Sequence, residues 1–454
     1  MMVRRLIVPA LLLVAACAML APSTAWGQAA GVCISPDGVL SVRMVADPGG
    51  RLHRELTAAA RADLDPDLLK PSKLRKVSLN RLEAAIADRA ARGLPPEADM
   101  LHMAGLLSVE YVFYLPETKD IILAGPAEGY VRNEAGRAVG LTSGRSVIEL
   151  EDVVAALRAF PPTGDPTAVI SVSIDPTQEG LSRLQRYLSS VAGRVRPGDA
   201  NVLVAGMQNA LGLQNVTIRG VSPATHFAQV LVEADYRMKL IGIGLEKPAV
   251  NIASYISNAR SGDVAANALQ RWFFTPEYDC VRVSDDRMAM QLVGQGVKLT
   301  GEDQVVRADG VRVVSKRVDK ASDTFCTSFT AHYEELAQRE PVYAQMRNLI
   351  NLSVAAAYIQ KQDFYGHAGW TMPMLGDERA FPIETHTAPT QVATAVNAVW
   401  KGRTLMTPIG GGVNIQATQA LQPGHLLSDT NGEVAKTRSA VDVSELAAGQ
   451  WWWD

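Results

Sequence analysis

Apolar and polar positions along this chain fall into blocks whose period changes several times. Val32 to Ser35 and Val39 to Val45 read as two strands, turned at Pro36-Asp37-Gly38. A polar stretch follows, with Pro48-Gly49-Gly50 and the basic run Lys70 to Lys76. Ser78 then caps a helix whose apolar residues Leu79, Leu82 and Ile86 have 3-then-4 spacing, and Gly93 with Pro95-Pro96 stops it. Leu107, Val109, Tyr111 and Phe113 alternate on one strand face, and a loop at 116–119 returns the chain into Ile121 to Ala124. Ile148 to Phe160 reads as a short strand leading into a helix.

Pro161-Pro162-Thr163-Gly164-Asp165-Pro166 is the clearest linker and predicts a domain boundary. Beyond it, Ile170, Val172 and Ile174 share a strand face. Asp175 is placed to cap a helix with Pro176 at its first position and Gln178 in the capping-box position. Leu181, Leu184, Leu188 and Val191 form that helix's stripe, and Val216 to Val221 is a second strand. Ser222-Pro223 opens a further helix that buries Phe227, Leu231, Ala234 and Met238. Its polar stripe (His226, Gln229, Glu233, Arg237, with Asp235 and Lys239 near it) is expected as a solvated face or an interdomain ion-pair network. The β-α-β-α order predicts a small open α/β sandwich.

From Tyr278 to about Lys316 the period is 2 and turns recur, predicting a β-meander. Residues 326–361 switch to helix period, broken once by Pro341, which opens a second helix burying Val342, Met346, Leu349, Ile350, Val354 and Ala357. A loop-rich stretch to 390, a helix near Gln391 to Val399, and strands around Gly410-Gly411-Gly412 follow. The polar tail 426–450, ending in Trp451-Trp452-Trp453, reads as mobile. The expected class is α+β: mixed α/β modules followed by a β-meander and a helical hairpin. The expected division is 1–27, a signal peptide; 28–160, an α+β module; 161–262, the α/β sandwich; 263–425, meander plus helical hairpin; and 426–454, the tail.

The first 27 residues form a secretory signal: Arg4 and Arg5, the apolar core Leu6 to Leu20, and Ala25-Trp26-Gly27 before Gln28. Val14-Ala15-Ala16-Cys17 also has the form of a lipobox, but Ala18-Met19-Leu20-Ala21 stays apolar after the cysteine, so soluble export is preferred to lipidation through Cys17. The expected address is periplasmic or extracellular, with no transmembrane segment after the signal. The 454 residues are 47% apolar and 20% charged with a net charge of −3, which excludes a disordered chain and lacks the basic footprint of a nucleic-acid binder. After cleavage Cys33, Cys280 and Cys326 remain; either Cys280 pairs with Cys326, or all three are buried small hydrophobes.

Three strings, Ala234-Asp235-Tyr236-Arg237-Met238-Lys239, Pro341-Val342-Tyr343-Ala344-Gln345-Met346-Arg347-Asn348 and Pro408-Ile409-Gly410-Gly411-Gly412-Val413, resemble an uncharacterised domain family of exported proteins typical of planctomycetes. The resemblance covers most of the chain after the signal. It implies an address and a single-family architecture, but no reaction and no catalytic residue.

Catalytic signatures are missing from the sequence. Gly140-Leu141-Thr142-Ser143-Gly144 puts Thr where a nucleophile elbow needs Ser, and there is no H-E-x-x-H, Walker loop or C-x-x-C. The polar stretch 363–386 is the richest in functional side chains. Glu384 and His386 share a strand face and, with His367 or Asp377, supply N and O donors of the kind zinc accepts, although in no recognised ligand spacing. Gly410, Gly411 and Gly412 either present N–H groups to an anion or mark a close approach of backbones. Trp272-Phe273-Phe274 with Tyr278 either fills a core or stacks on sugars. Trp451, Trp452 and Trp453 would expose a large apolar patch at a mobile end, so at least one indole is expected to dock, as a strap or a partner peg.

These observations favour a non-enzymatic scaffold or binding protein of the periplasm or cell surface, with no cofactor, no metal and no nucleic acid. Its expected partner is another envelope or surface protein, or a polysaccharide. The alternative is an exported hydrolase or metal-dependent enzyme with its site in 363–386.

Overall fold

Strand pairing over long sequence distances organises this molecule. The computed structural model describes residues 29–454 apart from 193, 195, 260–267, 307–311, 315–319, 398, 402–403, 407–409 and 445. The signal expected at 1–27, with Cys17, falls outside the described residues, as do Pro408 and Ile409.

β1 (Ala29–Ile34) and β2 (Val39–Val45) form the expected hairpin. The next polar stretch folds as α1 (Arg51–Asp63), which no apolar stripe announces because none of its residues is buried. Asp47 holds its start, accepting from the backbone N–H of Leu52 at 3.1 Å and of His53 at 3.0 Å. The basic run becomes β3 (Ser72–Ser78), and Ser78 caps α2 (Leu79–Ala91) as its spacing predicts. Then come α3 (Ala98–Leu101), the hairpin β4 (Tyr111–Leu115) and β5 (Asp120–Ala127), the hairpin β6 (Tyr130–Arg132) and β7 (Ala138–Gly140), and α4 (Leu150–Ala159).

Asp175 is a strand residue rather than a cap. β8 runs Ile170–Pro176, and Thr177 instead caps α5 (Gln178–Val191), its hydroxyl accepting from Gly180 N at 2.9 Å. α6 (Ala200–Leu211), β9 (Gln214–Arg219), α7 (His226–Gly242) and α8 (Tyr255–Asn258) complete this part. Next come β10 (Ala268–Pro276), β11 (Val281–Val283), β12 (Ala289–Leu292), β13 (Val297–Val306) and β14 (Arg312–Val314). They do not form one meander: β10, β13 and β14 belong to one sheet, β11 and β12 to another. Period-2 alternation identifies a strand but not the neighbour it will pair with.

Helices α9 (Lys320–Ala331), α10 (Tyr333–Arg339) and α11 (Pro341–Lys361) follow, with Pro341 at the head of α11 as predicted. After α12 (Phe364–Ala368), the helix expected near 391–399 is replaced by β15 (Gln391–Val392), which lies between β2 and β9 with Val392 fully buried. β16 (Val399–Lys401) pairs with β17 (Thr404–Met406), and β18 (Gly411–Ile415) enters the large sheet. The tail is structured rather than mobile, with β19 (Leu426–Ser428), α13 (Glu433–Ser439) and β20 (Trp452–Trp453).

The nine-stranded sheet has the order β1-β2-β15-β9-β8-β18-β10-β13-β14 and draws on all three expected modules; the other runs β19-β11-β12-β4-β5-β3-β20. The class is α+β. Helix α7 lies on one face of β8, β18 and β10, where Val172, Ile174, Trp272, Phe274 and Val413 meet Phe227, Leu231 and Met238, all at most 1% exposed. Helix α11 packs against both α4 and α7 and is buried along nearly its whole length. The expected Cys280–Cys326 disulfide is not formed: Cys33 is exposed, while Cys280 just ahead of β11 and Cys326 on α9 are each buried.

The tail docks onto the edge of the seven-stranded sheet. β20 pairs antiparallel with β3, Trp452 opposite Val77, and Ser78 N donates to Trp451 O at 2.9 Å. Trp451 and Trp453 are 5% and 8% exposed. Fully buried Arg75 secures the dock: its Nε and Nη2 donate to Asp454 Oδ1 and Oδ2 at 2.8 and 3.0 Å, and its guanidinium lies 4.7 Å from the Trp452 ring centroid. Its Nη1 donates to Ala104 O at 2.8 Å, holding a turn in which Met103, Ala104 and Gly105 all have φ between 48° and 78°. Removal of 451–454 therefore strips two indoles from the core and leaves the Arg75 charge without its carboxylate. The truncated protein is expected to lose on the order of a few kcal/mol, read as a lower Tm. A melt that matches the full chain would show the tail to be a bystander.

Candidate functional site

The residues singled out in 363–386 do not converge. His367 is exposed on α12 with its ring 5.8 Å from that of Tyr114. Asp377 is exposed and closes a turn, accepting from Arg379 N at 2.9 Å. Glu384 is exposed, and its N–H donates to Glu378 Oε1 at 2.9 Å. The stretch is clamped to the body by Arg158 and Glu83, which no motif marks. Arg158 Nε donates to Leu375 O at 2.8 Å and pairs with Glu378, and buried Glu83 accepts from Met374 N at 2.8 Å and from Trp370 Nε1. Among the described residues, no group of three or more His, Cys, Asp or Glu side chains is placed to hold a metal ion.

Only His386 enters a titratable cluster. Helix α4 begins Leu150-Glu151-Asp152 after Glu149, with acids where the helix dipole favours them. His386 Nε2 lies 3.1 Å from Glu151 Oε2, and His226 Nδ1 lies 3.1 and 3.0 Å from the two oxygens of Asp152. The two rings are 5.9 Å apart, while Arg132 pairs with Glu149 at 3.3 Å. Burial works against a charge on His226, but Asp152, Glu149 and Glu151 outweigh it and lift the imidazole to about 9. Burial raises Asp152 to about 6, with His226 opposing. Burial also presses Glu151 upward, but His386, His226 and Arg132 hold it below the usual carboxylate range. The pairs latch the segment before β15 onto α4 and α7, where His386 N also donates to Ala224 O at 2.9 Å.

A His raised by its partner stabilises the fold fully below its unfolded pKa, and that contribution is lost as pH rises through the folded value. His226 is expected to titrate near pH 9 by NMR, and Tm to fall between pH 7 and 10. The variant His226→Gln/Asp152→Asn should lack that increment. A His226 titration near the ordinary 6.5 would break the latch interpretation.

The stripe expected as a solvated face or an ion-pair network is the second of these, and it is buried. Glu233, Asp235, Arg237 and Lys239 are at most 6% exposed. Arg237 meets Glu246 at 2.7 Å and Glu340 at 3.0 Å, Lys239 meets Asp235 at 2.7 Å, and Arg137 pairs with both Glu233 and Gln345. The strings at 234–239 and 341–348 thus pack on each other, with Arg237 6.0 Å from the Tyr343 ring centroid. Lys239→Met should cost about 3–5 kcal/mol by stranding Asp235, whereas Lys239→Met with Asp235→Leu should recover most of it; denaturant melts decide.

Residues 410–412 and the aromatic cluster build a groove. A Cβ on Gly411 would stand 2.0 Å from Trp272 O, and one on Gly412 2.0 Å from Val172 O, so the glycines let β18 lie tightly between β8 and β10. Gly411 also has φ +137°, a value that side chains avoid. The strand backbone here is engaged in ladders rather than turned toward an anion. Trp272 and Phe274 fill the core, with the Trp272 indole donating to Ser322 Oγ at 3.0 Å. Phe273 points the other way. Register sets Phe273, Gly412, Ser173 and Thr217 in one row across β10, β18, β8 and β9, and Asn414, Ser171 and Arg219 in the next. Half-buried Ser171, Ser173, Phe273, Asn414 and Gln416 line a groove of about 470 Å³ on this face, opposite α7. Arg271 lies 4.8 Å from the Phe273 ring centroid and pairs with Asp175 at 3.3 Å and Glu302 at 3.4 Å.

Residues 172–255 match the model of a protein family of unknown function, DUF1598. The match runs from within β8 to the start of α8 and includes the string at 234–239, but not those at 341–348 and 408–413. No curated protein and no solved structure matches the chain.

Proposed function

We propose that this chain is an exported, non-enzymatic binding protein of the periplasm or cell surface. Its ligand rests on the polar face of the nine-stranded sheet. The observation that carries the binding reading is the groove beside Gly412 on the central strands, lined by an aromatic ring, two hydroxyls and two amides together with apolar Ala168 and Val169. The side chains offered for catalysis in 363–386 stand apart from one another: Asp377 accepts from its own loop's backbone, Glu384 is exposed and His386 is latched to Glu151. Export rests on Arg4, Arg5, the apolar run Leu6 to Leu20 and Ala25-Trp26-Gly27. Among the described residues no helix is long and apolar enough to cross a membrane.

Mature protein recovered from the extracytoplasmic fraction is expected to begin at Gln28; a lipidated Cys17 at its N-terminus would overturn soluble export. A benzophenone at Ser173 is expected to crosslink to a component of the cell envelope, and one at exposed Val202 is not. Equal or absent crosslinking at the two positions would remove the binding reading.

A further inference from the structure

We infer that the groove beside Gly412 takes an uncharged polysaccharide chain, with Phe273 as its stacking platform. This rests on the binding reading above and goes beyond it by naming the ligand's chemistry. The row Phe273, Gly412, Ser173, Thr217 crosses four neighbouring strands, which at ~4.8 Å per strand gives a track of about 14 Å. Gly412 sits inside that row and carries no side chain, so the track dips between the Phe273 ring and Ser173. A flat ring beside a depression suits the C–H face of a sugar, while the rim of hydroxyls and amides suits its OH groups.

Charge selects among occupants. Arg271 is neutralised by Asp175 and Glu302 and is stacked against Phe273, while Arg219 stands at the margin, opposite Ser171 on β9. The lining residues Ser171, Ser173, Phe273, Asn414 and Gln416 are all uncharged. A nucleic acid would need a basic track, and an anionic glycan would need cations along the floor. Apolar Ala168 and Val169 join Phe273 beside the hydroxyls and amides, so the lining offers both C–H and OH contacts, as a sugar does, rather than the wholly desolvated apolar centre of a protein interface. An uncharged chain of hydroxyls matches the lining on each count.

The test uses the full mature protein and calorimetric titration with four hexasaccharides: cello-, laminari- and chitohexaose, and hexameric alginate as the acidic control. At least one neutral hexasaccharide is expected to bind, and alginate more weakly. Phe273→Ala should weaken the neutral ligand about tenfold or more, the loss of one stacking contact, while Phe273→Trp stays within about threefold of the parent. Ser173→Glu, on the half-exposed rim, should abolish binding with an unchanged melt, which covers the case in which Phe273→Ala fails to fold. Tighter binding of alginate, or neutral binding indifferent to both positions, would overturn the inference. If no hexasaccharide binds while Ser173 still crosslinks to an envelope protein, the glycan inference falls and the binding reading stands. If neither occurs, both fall.

Discussion

Burying Glu233, Asp235, Arg237 and Lys239 on one helix is costly unless each charge meets its opposite inside the protein, and much of the architecture follows from that requirement. Arg237 needs Glu246 from the turn after α7 and Glu340 from the head of α11. Glu233 needs Arg137 from β7's approach, which reaches on to Gln345. Residues separated by up to 208 positions are thereby forced into one register. Apolar packing tolerates small slides, but a guanidinium between fixed carboxylates does not. The network therefore acts as a locating device for α7, α11 and the β6–β7 hairpin, in the way that buried polar groups select among otherwise similar packings.

With α7 located, the nine-stranded sheet has one face defined. Val172, Ile174, Val413, Trp272 and Phe274 all turn toward the helix, which obliges Ser171, Ser173, Asn414 and Phe273 to turn away, because strand side chains alternate. The groove is thus the other side of the core. Its rigidity comes from the ladders on both sides of β18, and its depth from a glycine that the backbone spacing requires in any case. A binding surface on central strands is held more firmly than one on loops.

The seven-stranded sheet is closed by a different device. Arg75 joins three levels of structure: the left-handed turn at 103–105, the loop after α1, and the tail through Asp454 and Trp452. Its burial is acceptable because its donors find carbonyl or carboxylate oxygens and its plane finds an indole. The tail is an edge strand that also covers an otherwise open sheet margin.

Local chemistry in the sequence determined much of the secondary structure. Pro36-Asp37-Gly38 set the first hairpin, Ser78 the start of α2, and Pro341 the start of α11, because turns and caps depend on residues within a few positions. The need to cover Trp451-Trp452-Trp453 was also legible, since exposed indoles are costly anywhere. What only the tertiary structure decided were the long-range assignments. Gln391–Val392 became a strand because β2 and β9 offered it a slot, and Asp175 became a strand residue facing Arg271 rather than a cap. The meander split between two sheets, and the polar stripe of α7 went inside because its counter-charges lay elsewhere in the chain. The same holds for the site. Phe273 and Gly412 were each visible as an aromatic and a glycine, but their meeting with Ser173 depends on strand order, which alternation along one strand does not encode.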